Sequence, residues 1–400
     1  MSQIKRRLLL DLTPLGTPGG ARGIGRYTRE LARGLAELPP SELEGIELLG
    51  LTSLGWTGVN TVTTDIAGFL EQRGTALLES RHYYSWAYRQ RVAMWRAAKS
   101  LRVDAIHLCD PHATPRLLGL AGTKRIVTCH DIVPTRFPKH YFGWRDGGAA
   151  VGRYIEAERY RSADLVIAVS DATKNDICQL CGVPEARVVR VYNGIDVEQW
   201  STKPKLATAP TLQNRGLGGR AFALYVGGSD WRKNIEGMMA GVARVRQAGL
   251  DLQLAWAGHL DAAHRARMQG KAAEAGIADA VHFLGHVPDD ELAILYRAAV
   301  AHLIVSRLEG FGLTVVEAMA SGCPVITTHA GSLAEVAGDA ALTVDPEDPA
   351  AIATALLRLM QEPELRAHLV ELGKTRAPRF SRHAQASATA AVYRRFFATE

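Results

Sequence analysis

The sequence predicts an α/β protein of two parallel-sheet domains, and three observations carry that expectation. The chain has 400 residues with 47% hydrophobic content, ample for two cores. Strand-sized apolar runs at residues 8–12, 126–129, 165–169, 222–226, 253–257 and 300–305 lead into glycine or polar turns, several of them followed by helix-like segments. Finally, residues 201–220 are polar, hold Pro204, Pro210 and three glycines, and show no periodicity, as a connector between domains would. The expected boundaries are a first domain over 1–195, a linker over 196–220 and a second domain over 221–382.

Composition narrows the function classes. No run approaches the roughly 18 uninterrupted apolar residues of a membrane-spanning helix. At the N-terminus, Asp11 interrupts the apolar run too early for a secretory leader, so residues 8–12 read as the first strand and the expected location is the cytoplasm. Five scattered cysteines make no disulfide framework, and Cys178-x-x-Cys181 has no second pair to complete a zinc site. Residues 1–200 carry 26 Lys and Arg against 21 Asp and Glu, whereas 201–400 carry 21 against 20. The basic excess of the first half suits an anionic acceptor or an anionic membrane surface, with peripheral contact on its inner face. A nucleic-acid partner is not expected, because no recognition motif is present.

The second half centres on residues 309–322, EGFGLTVVEAMASG. Apolar residues 300–305 precede the stretch and Pro324-Val325-Ile326-Thr327 follows it, so it reads as strand, glycine loop, short helix, strand. Gly322 occupies a helix C-cap position and Pro324 forbids continuation. A parallel βαβ unit puts such a loop at the carboxyl end of its sheet, where ligands bind. Gly310 and Gly312 let backbone N–H groups approach a ligand, and the next helix presents its positive end there, which suits a diphosphate. Glu309 and Glu317 would instead accept hydrogen bonds from sugar hydroxyls. Spacing alone leaves open a helix-start glutamate and a solvated one.

Four other stretches carry chemistry. Residues 18–27 form a glycine loop after the first strand, and Tyr27, Leu31 and Leu35 then follow at helical spacing; a phosphate loop and a tight turn both fit. Residues 81–102 mix aromatic and basic side chains, with Tyr84, Tyr88, Arg91 and Trp95 on one helical face, as for a core helix or a membrane-surface helix. Residues 126–129 deliver His130 and Asp131 to a strand end. Residues 222–226 run into Gly227-Gly228 and then Arg232-Lys233-Asn234, a permissive backbone followed by two cations.

Together these residues resemble the retaining glycosyltransferases of family 4. Ser306 to Ile326 matches S-x-x-E-G-F-G-L-x-x-x-E-A-M-A-x-G-x-P-V-I, Val226 to Asn234 its V-G-x-x-x-x-R-K-N element, and residues 193–196 its N-G-[IV]-D element. The resemblance implies the GT-B fold: two Rossmann-like domains facing each other across a cleft, with a final helix (about 383–400) crossing back to complete the first. It implies a nucleotide-sugar donor, with Lys233 and Arg232 on the diphosphate, Glu309 on the donor sugar and Glu317 on the ribose. Gly228, Ser306, Gly310, Phe311, Gly312 and Leu313 would line the donor site, and backbone near Val287 would read the base. Gly23, Gly25 and Arg26, in a G-x-G-R-Y loop, would face the cleft and acceptor. His130 of H-D-x-x-P would lie beside the transferred sugar, with Asp131 orienting it or shaping the turn.

A metal-dependent transferase would hold its ion with a D-x-D element, which is absent here, so no metal or other cofactor is expected. The pairing of G-I-G-R-Y with H-D-I-V-P resembles bacterial polysaccharide and O-antigen mannosyltransferases, implying GDP-mannose and a glycan or lipid-linked glycan acceptor. Another GDP- or UDP-hexose with a soluble acceptor, and a non-catalytic nucleotide-sugar-binding subunit, are the alternatives. A Rossmann oxidoreductase is not, since G-x-G-x-x-G with its acidic partner is missing.

Overall fold

A computed structural model describes residues 5–16, 23–54, 60–72, 94, 96–111, 123–143, 148–202 and 206–398. The chain divides into two compact units, one of residues 1–194 with 381–400 and one of residues 195–380. Each is built on its own sheet.

The first unit contains strands β1 (Arg6–Asp11), β2 (Ile46–Leu54), β3 (Asn60–Thr63), β4 (Ala105–Leu108), β5 (Lys124–Cys129), β6 (Leu165–Ala168) and β7 (Val188–Arg190). Their order is β3-β2-β1-β4-β5-β6-β7, parallel except for the antiparallel edge strand β3. Central strands of a parallel sheet are covered on both faces, which is why Leu8, Leu9 and Leu10 run without polar alternation and are all fully buried. Helix α1 (Gly23–Glu37) packs Tyr27, Leu31 and Leu35 inward, the face expected from their spacing. Its start differs from expectation. Gly23, Gly25 and Arg26 form the first helical turn rather than a loop, and Gly23 has neither a positive φ nor, among the described residues outside its own helix backbone, any atom within 4 Å of a would-be Cβ. Ser170 caps α2 (Asp171–Asp176) as expected, accepting a 3.0 Å bond from the Thr173 amide. Cys178 and Cys181 occupy a π-helical turn and are free thiols. Tyr84, Tyr88, Arg91 and Trp95 lie outside the described residues.

The C-terminal helix, Arg382–Ala398, belongs to this first unit and packs on α1. A Cβ at Gly34 would lie 2.8 Å from the Ala386 Cβ, so the two helices approach with no side chain between them there. Arg382 pairs with Glu30 at 2.7 Å and with Glu37 at 3.2 Å. Farther along, the Tyr393 hydroxyl lies 2.6 Å from His107 Nδ1, and His107 Nε2 lies 2.8 Å from the Thr128 hydroxyl. Burial, with the nearby His130 charge adding to it, pushes the His107 pKa down to about 3, so the ring is neutral. Thr128 in turn meets the Tyr27 hydroxyl at 2.8 Å, giving a fully buried polar chain across β4, β5 and two helices.

The second unit contains β8 (Ala221–Val226), β9 (Leu252–Ala257), β10 (Val281–Gly285), β11 (Ala301–Leu303), β12 (Val325–Thr327) and β13 (Ala341–Thr343), in the order β10-β9-β8-β11-β12-β13 and wholly parallel. Counted from β8, this is the Rossmann order 3-2-1-4-5-6, whose direction reverses between β8 and β11. Helix α3 (Asp289–Ala298) precedes β11, and α4 (Leu313–Ala320) joins β11 to β12. Helix α4 ends in a Schellman motif at Gly322, φ 75°, where Gly322 N–H bonds Met319 C=O and Cys323 N–H bonds Ala318 C=O. The expected linker 196–220 counts with this unit and carries helices at Val197–Ser201 and Thr208–Asn214. Its sparse apolar residues act as anchors: Trp200 and Leu217 are buried, and the Trp200 ring packs edge-on to Tyr296.

Gly194 lies where the chain meets the start of the C-terminal helix. A Cβ there would come within 2.6 Å of the Ser381 carbonyl oxygen and 2.9 Å of the Arg382 backbone. Neither obstacle can rotate away, so Gly194→Ala is expected to cost about 2 kcal/mol in urea unfolding. Gly23→Ala, with open space around it, should unfold within about 0.5 kcal/mol of the parent.

Candidate active site

The candidate site of the second unit forms at the reversal point of its sheet. Strand β8 is followed by Gly227-Gly228 and then by a 3-10 turn, Trp231–Lys233. The Asp230 carboxylate caps this turn by accepting from the Arg232 amide at 3.0 Å. Asn234 closes it in the left-handed conformation, φ 56°, where its side-chain amide donates to the carbonyls of Val305 (3.2 Å) and Pro346 (2.6 Å). The turn is therefore fastened to the segment that follows β11, which carries Ser306 and Glu309.

Glu309 sits between the two cations. Lys233 Nζ lies 2.5 Å from Oε1 and Arg232 Nη1 lies 2.7 Å from Oε2, while the Ser306 hydroxyl donates to Oε1 at 2.7 Å. Only 7% of Glu309 is exposed. Burial would raise its pKa, but the charges of Lys233 and Arg232, with hydrogen bonds from Lys233 and Ser306, outweigh it and hold the carboxyl at about 2. Its backbone is held as well. The Ser332 amide and hydroxyl both donate to the Glu309 carbonyl, and Gly331, φ 63°, passes so close that a Cβ would lie 2.2 Å from that oxygen.

The loop then enters α4 through Gly312, φ 93°, a left-handed residue at the helix N-cap. Phe311 does not point outward: it is buried, with its ring edge-on to Phe380 at 5.7 Å. Leu313 is half-buried in the first turn of α4. Glu317 lies on the inner face of α4 with 0% exposed, and the Tyr296 hydroxyl donates to its Oε2 at 3.2 Å. Gly228 is exposed, and its carbonyl accepts from Tyr225 at 2.7 Å. Val287 is buried just after β10. Among the described residues, no three His, Cys, Asp or Glu side chains gather as a metal site requires.

The first unit offers a second cluster at the end of β5. His130 Nε2 donates to the Cys109 carbonyl at 2.8 Å, which places a proton on that nitrogen, and the ring stands edge-on to Tyr27 at 4.7 Å. Asp131 accepts from the Val133 amide at 3.2 Å, so it shapes the following turn. Tyr27, from the G-x-G-R-Y stretch, thus links the helix start to His130, while Gly23 is exposed and Gly25 buried.

Comparison with known proteins decides the family. The glycosyl transferases group 1 model matches residues 213–376 and the glycosyltransferase family 4 model residues 21–199. The O-antigen chain mannosyltransferase B of Escherichia coli is 30% identical, over 90% of this chain and 92% of its own. The chain belongs to the family 4, group 1 glycosyltransferases. A glycogen synthase of Mycobacterium tuberculosis is 28% identical over 74% of this chain and 69% of its own. Sucrose-phosphate synthase from Thermosynechococcus elongatus shares the fold, with a TM-score of 0.73 at 22% identity, over 99% of this chain and 100% of that one. Both units of this glycosyltransferase are thus Rossmann-like domains of a GT-B fold.

Two residues of the candidate site escaped sequence reasoning. Tyr296 and Tyr225, which contact Glu317 and the Gly228 carbonyl, sit within apolar-looking segments and signal nothing. Asn234 did carry a signal, since Asn tolerates the left-handed conformation that ends the turn. Ser306 was expected at the donor; its contact with Glu309 comes only from the structure.

The low pKa of Glu309 has a consequence for stability. A carboxyl held below its unfolded value stabilises the fold above that value and loses the contribution as pH falls through the folded one. Relative to Glu309→Gln, the parent's stability advantage at pH 7 should therefore shrink between pH 4.5 and about 2. Parallel urea titrations across that range would show it; a gap independent of pH would mean that Glu309 is not held as an ion pair.

Proposed function

We propose that this glycosyltransferase moves a hexose, best matched by mannose from GDP-mannose, onto a hydroxyl of a glycan or lipid-linked glycan acceptor in cell-surface polysaccharide synthesis, with retention at the anomeric carbon and without a metal ion. The observation that carries the reading is the Glu309 carboxylate bracketed by Lys233 and Arg232 at the reversal point of the second sheet. Two cations and one carboxylate, fastened together, offer complementary partners to a sugar bound to diphosphate. Lys233 and Arg232 exchange Glu309 for the diphosphate oxygens, and Glu309 then accepts from donor-sugar hydroxyls. The α4 N-terminus and the backbone at Gly310 to Gly312 add positive potential. Glu317, oriented by Tyr296, meets the ribose, and His130 neighbours the transferred sugar.

In the transfer, the bond from the anomeric carbon to the diphosphate oxygen breaks. A bond to the acceptor oxygen forms on the same face, and the acceptor proton passes to the departing diphosphate. No separate base is needed. Lys233 and Arg232 act where negative charge accumulates, the arrangement that contributes most to such rates.

The name of the Escherichia coli relative supports mannose, because that match spans both domains. The relative named glycogen synthase supports the second reading, another hexose donor with a soluble acceptor. A thermal-shift panel of GDP-mannose, GDP-fucose, UDP-glucose, UDP-galactose and UDP-GlcNAc in EDTA separates them. Ligand at 100 times its dissociation constant stabilises by about 2.7 kcal/mol. Stabilisation by GDP-mannose is expected; a response confined to the UDP sugars favours the second reading, a response without turnover favours a non-catalytic subunit, and none at all contradicts nucleotide-sugar binding itself. With the donor so identified, Glu309→Ala should lower turnover by about tenfold or more while remaining folded.

A further inference from the structure

Arg307, two residues ahead of Glu309, is not among the residues that the sequence pattern singles out, yet it makes a convergent set of contacts with the cationic turn. Its backbone amide donates to the Arg232 carbonyl at 2.7 Å. Its guanidinium donates through Nη1 to the Trp231 carbonyl at 2.9 Å and lies 5.1 Å from the centre of the half-exposed Trp231 ring. The far side of the guanidinium makes a two-pronged pair with Glu347, at 2.6 and 3.1 Å. One short segment therefore grips the turn twice: through Glu309 on the side chains of Arg232 and Lys233, and through Arg307 on the backbone from which they project.

The geometry points to Arg307 as a positioning residue that holds the Trp231–Lys233 turn in register for a nucleoside diphosphate, acting through Lys233 and Arg232 rather than on the ligand. This rests on the donor-site reading above. A surface ion pair alone would contribute little, and Glu347 is 61% exposed. The effect comes from the side-chain bond to the Trp231 carbonyl, since the planar guanidinium can satisfy that oxygen and the carboxylate together in one orientation, whereas the amide bond to the Arg232 carbonyl is independent of the side chain. The fold does not depend on it. The turn is also capped by Asp230 and anchored by Asn234, so loss of Arg307 loosens the direction of Lys233 and Arg232 and leaves the unit folded.

The test is calorimetric titration of GDP and of UDP, in EDTA, into the parent, Arg307→Ala, Glu347→Gln, Lys233→Ala and the Arg307→Ala/Lys233→Ala double variant. For whichever nucleotide the parent binds, Arg307→Ala should weaken binding about fivefold, the worth of a hydrogen bond. Glu347→Gln, which removes only the outer anchor, should weaken it about twofold. The double variant should bind within about twofold of Lys233→Ala alone, because residues acting through one another are not additive. Unchanged affinity in Arg307→Ala, or losses that multiply fully in the double variant, would overturn the assignment while leaving the donor site intact. A parent that binds neither nucleotide would remove the donor site and this inference with it.

Discussion

The second unit depends on one constraint: a nearly buried carboxylate must keep its charge. Glu309 does so because Lys233, Arg232 and Ser306 reach it at 2.5 to 2.7 Å. Desolvation opposes ionisation, and only paired, hydrogen-bonded charges overcome it. Each supporting feature serves that pairing. Asn234 takes a left-handed conformation so that the turn can close, Gly331 gives up a side chain so that Ser332 can hold the Glu309 carbonyl, and Gly312 redirects the chain into α4. A buried pair of this kind is a poor investment for stability alone, since apolar residues could fill the same space at no loss. Under the proposed function the pair has a use: its cations sit at a sheet reversal, where the diphosphate of a donor would take the place of Glu309.

The first unit solves a different problem with neutral groups. His107, Thr128, Tyr27 and Tyr393 form a buried hydrogen-bonded chain that secures the C-terminal helix to the sheet. The same Tyr27 ring stands against His130, whose Nε2 is committed to the Cys109 carbonyl. Positioning of the candidate catalytic histidine is thus coupled to the docking of a helix more than 250 residues later in the chain. Domain completion and site geometry share these contacts.

Much of this was legible in the sequence where local rules are strong. Uninterrupted apolar strands, the glycine and proline that end α4, and the Ser170 cap announce themselves through conformational limits on single residues. The cations after β8 and the two glutamates around α4 were each legible from their motifs, but the direct pairing of Lys233 and Arg232 with Glu309 was not. What stayed hidden depends on contacts far apart in the chain or on burial. Glycines at 23 and 25 suggested a loop, yet both lie in the first turn of a helix whose inner face is set by Tyr27, Leu31 and Leu35. The polar composition of 196–220 concealed that Trp200 and Leu217 dock it to the second unit. Phe311 has the look of a ligand contact, but its neighbour Phe380 lies 69 positions on and claims its ring. Arg307 has no local signal at all.

The most direct measurement is the affinity gained from a second phosphate, comparing nucleoside monophosphate with diphosphate by calorimetry in EDTA, in the parent and in Lys233→Ala. Charge-assisted bonds to the added phosphate should give the parent a gain of about tenfold or more, and the variant should lose most of it while its monophosphate affinity stays close to the parent's. An equal gain in both proteins, or a gain that appears only when a divalent ion is supplied, would contradict the role of the Lys233–Arg232–Glu309 cluster.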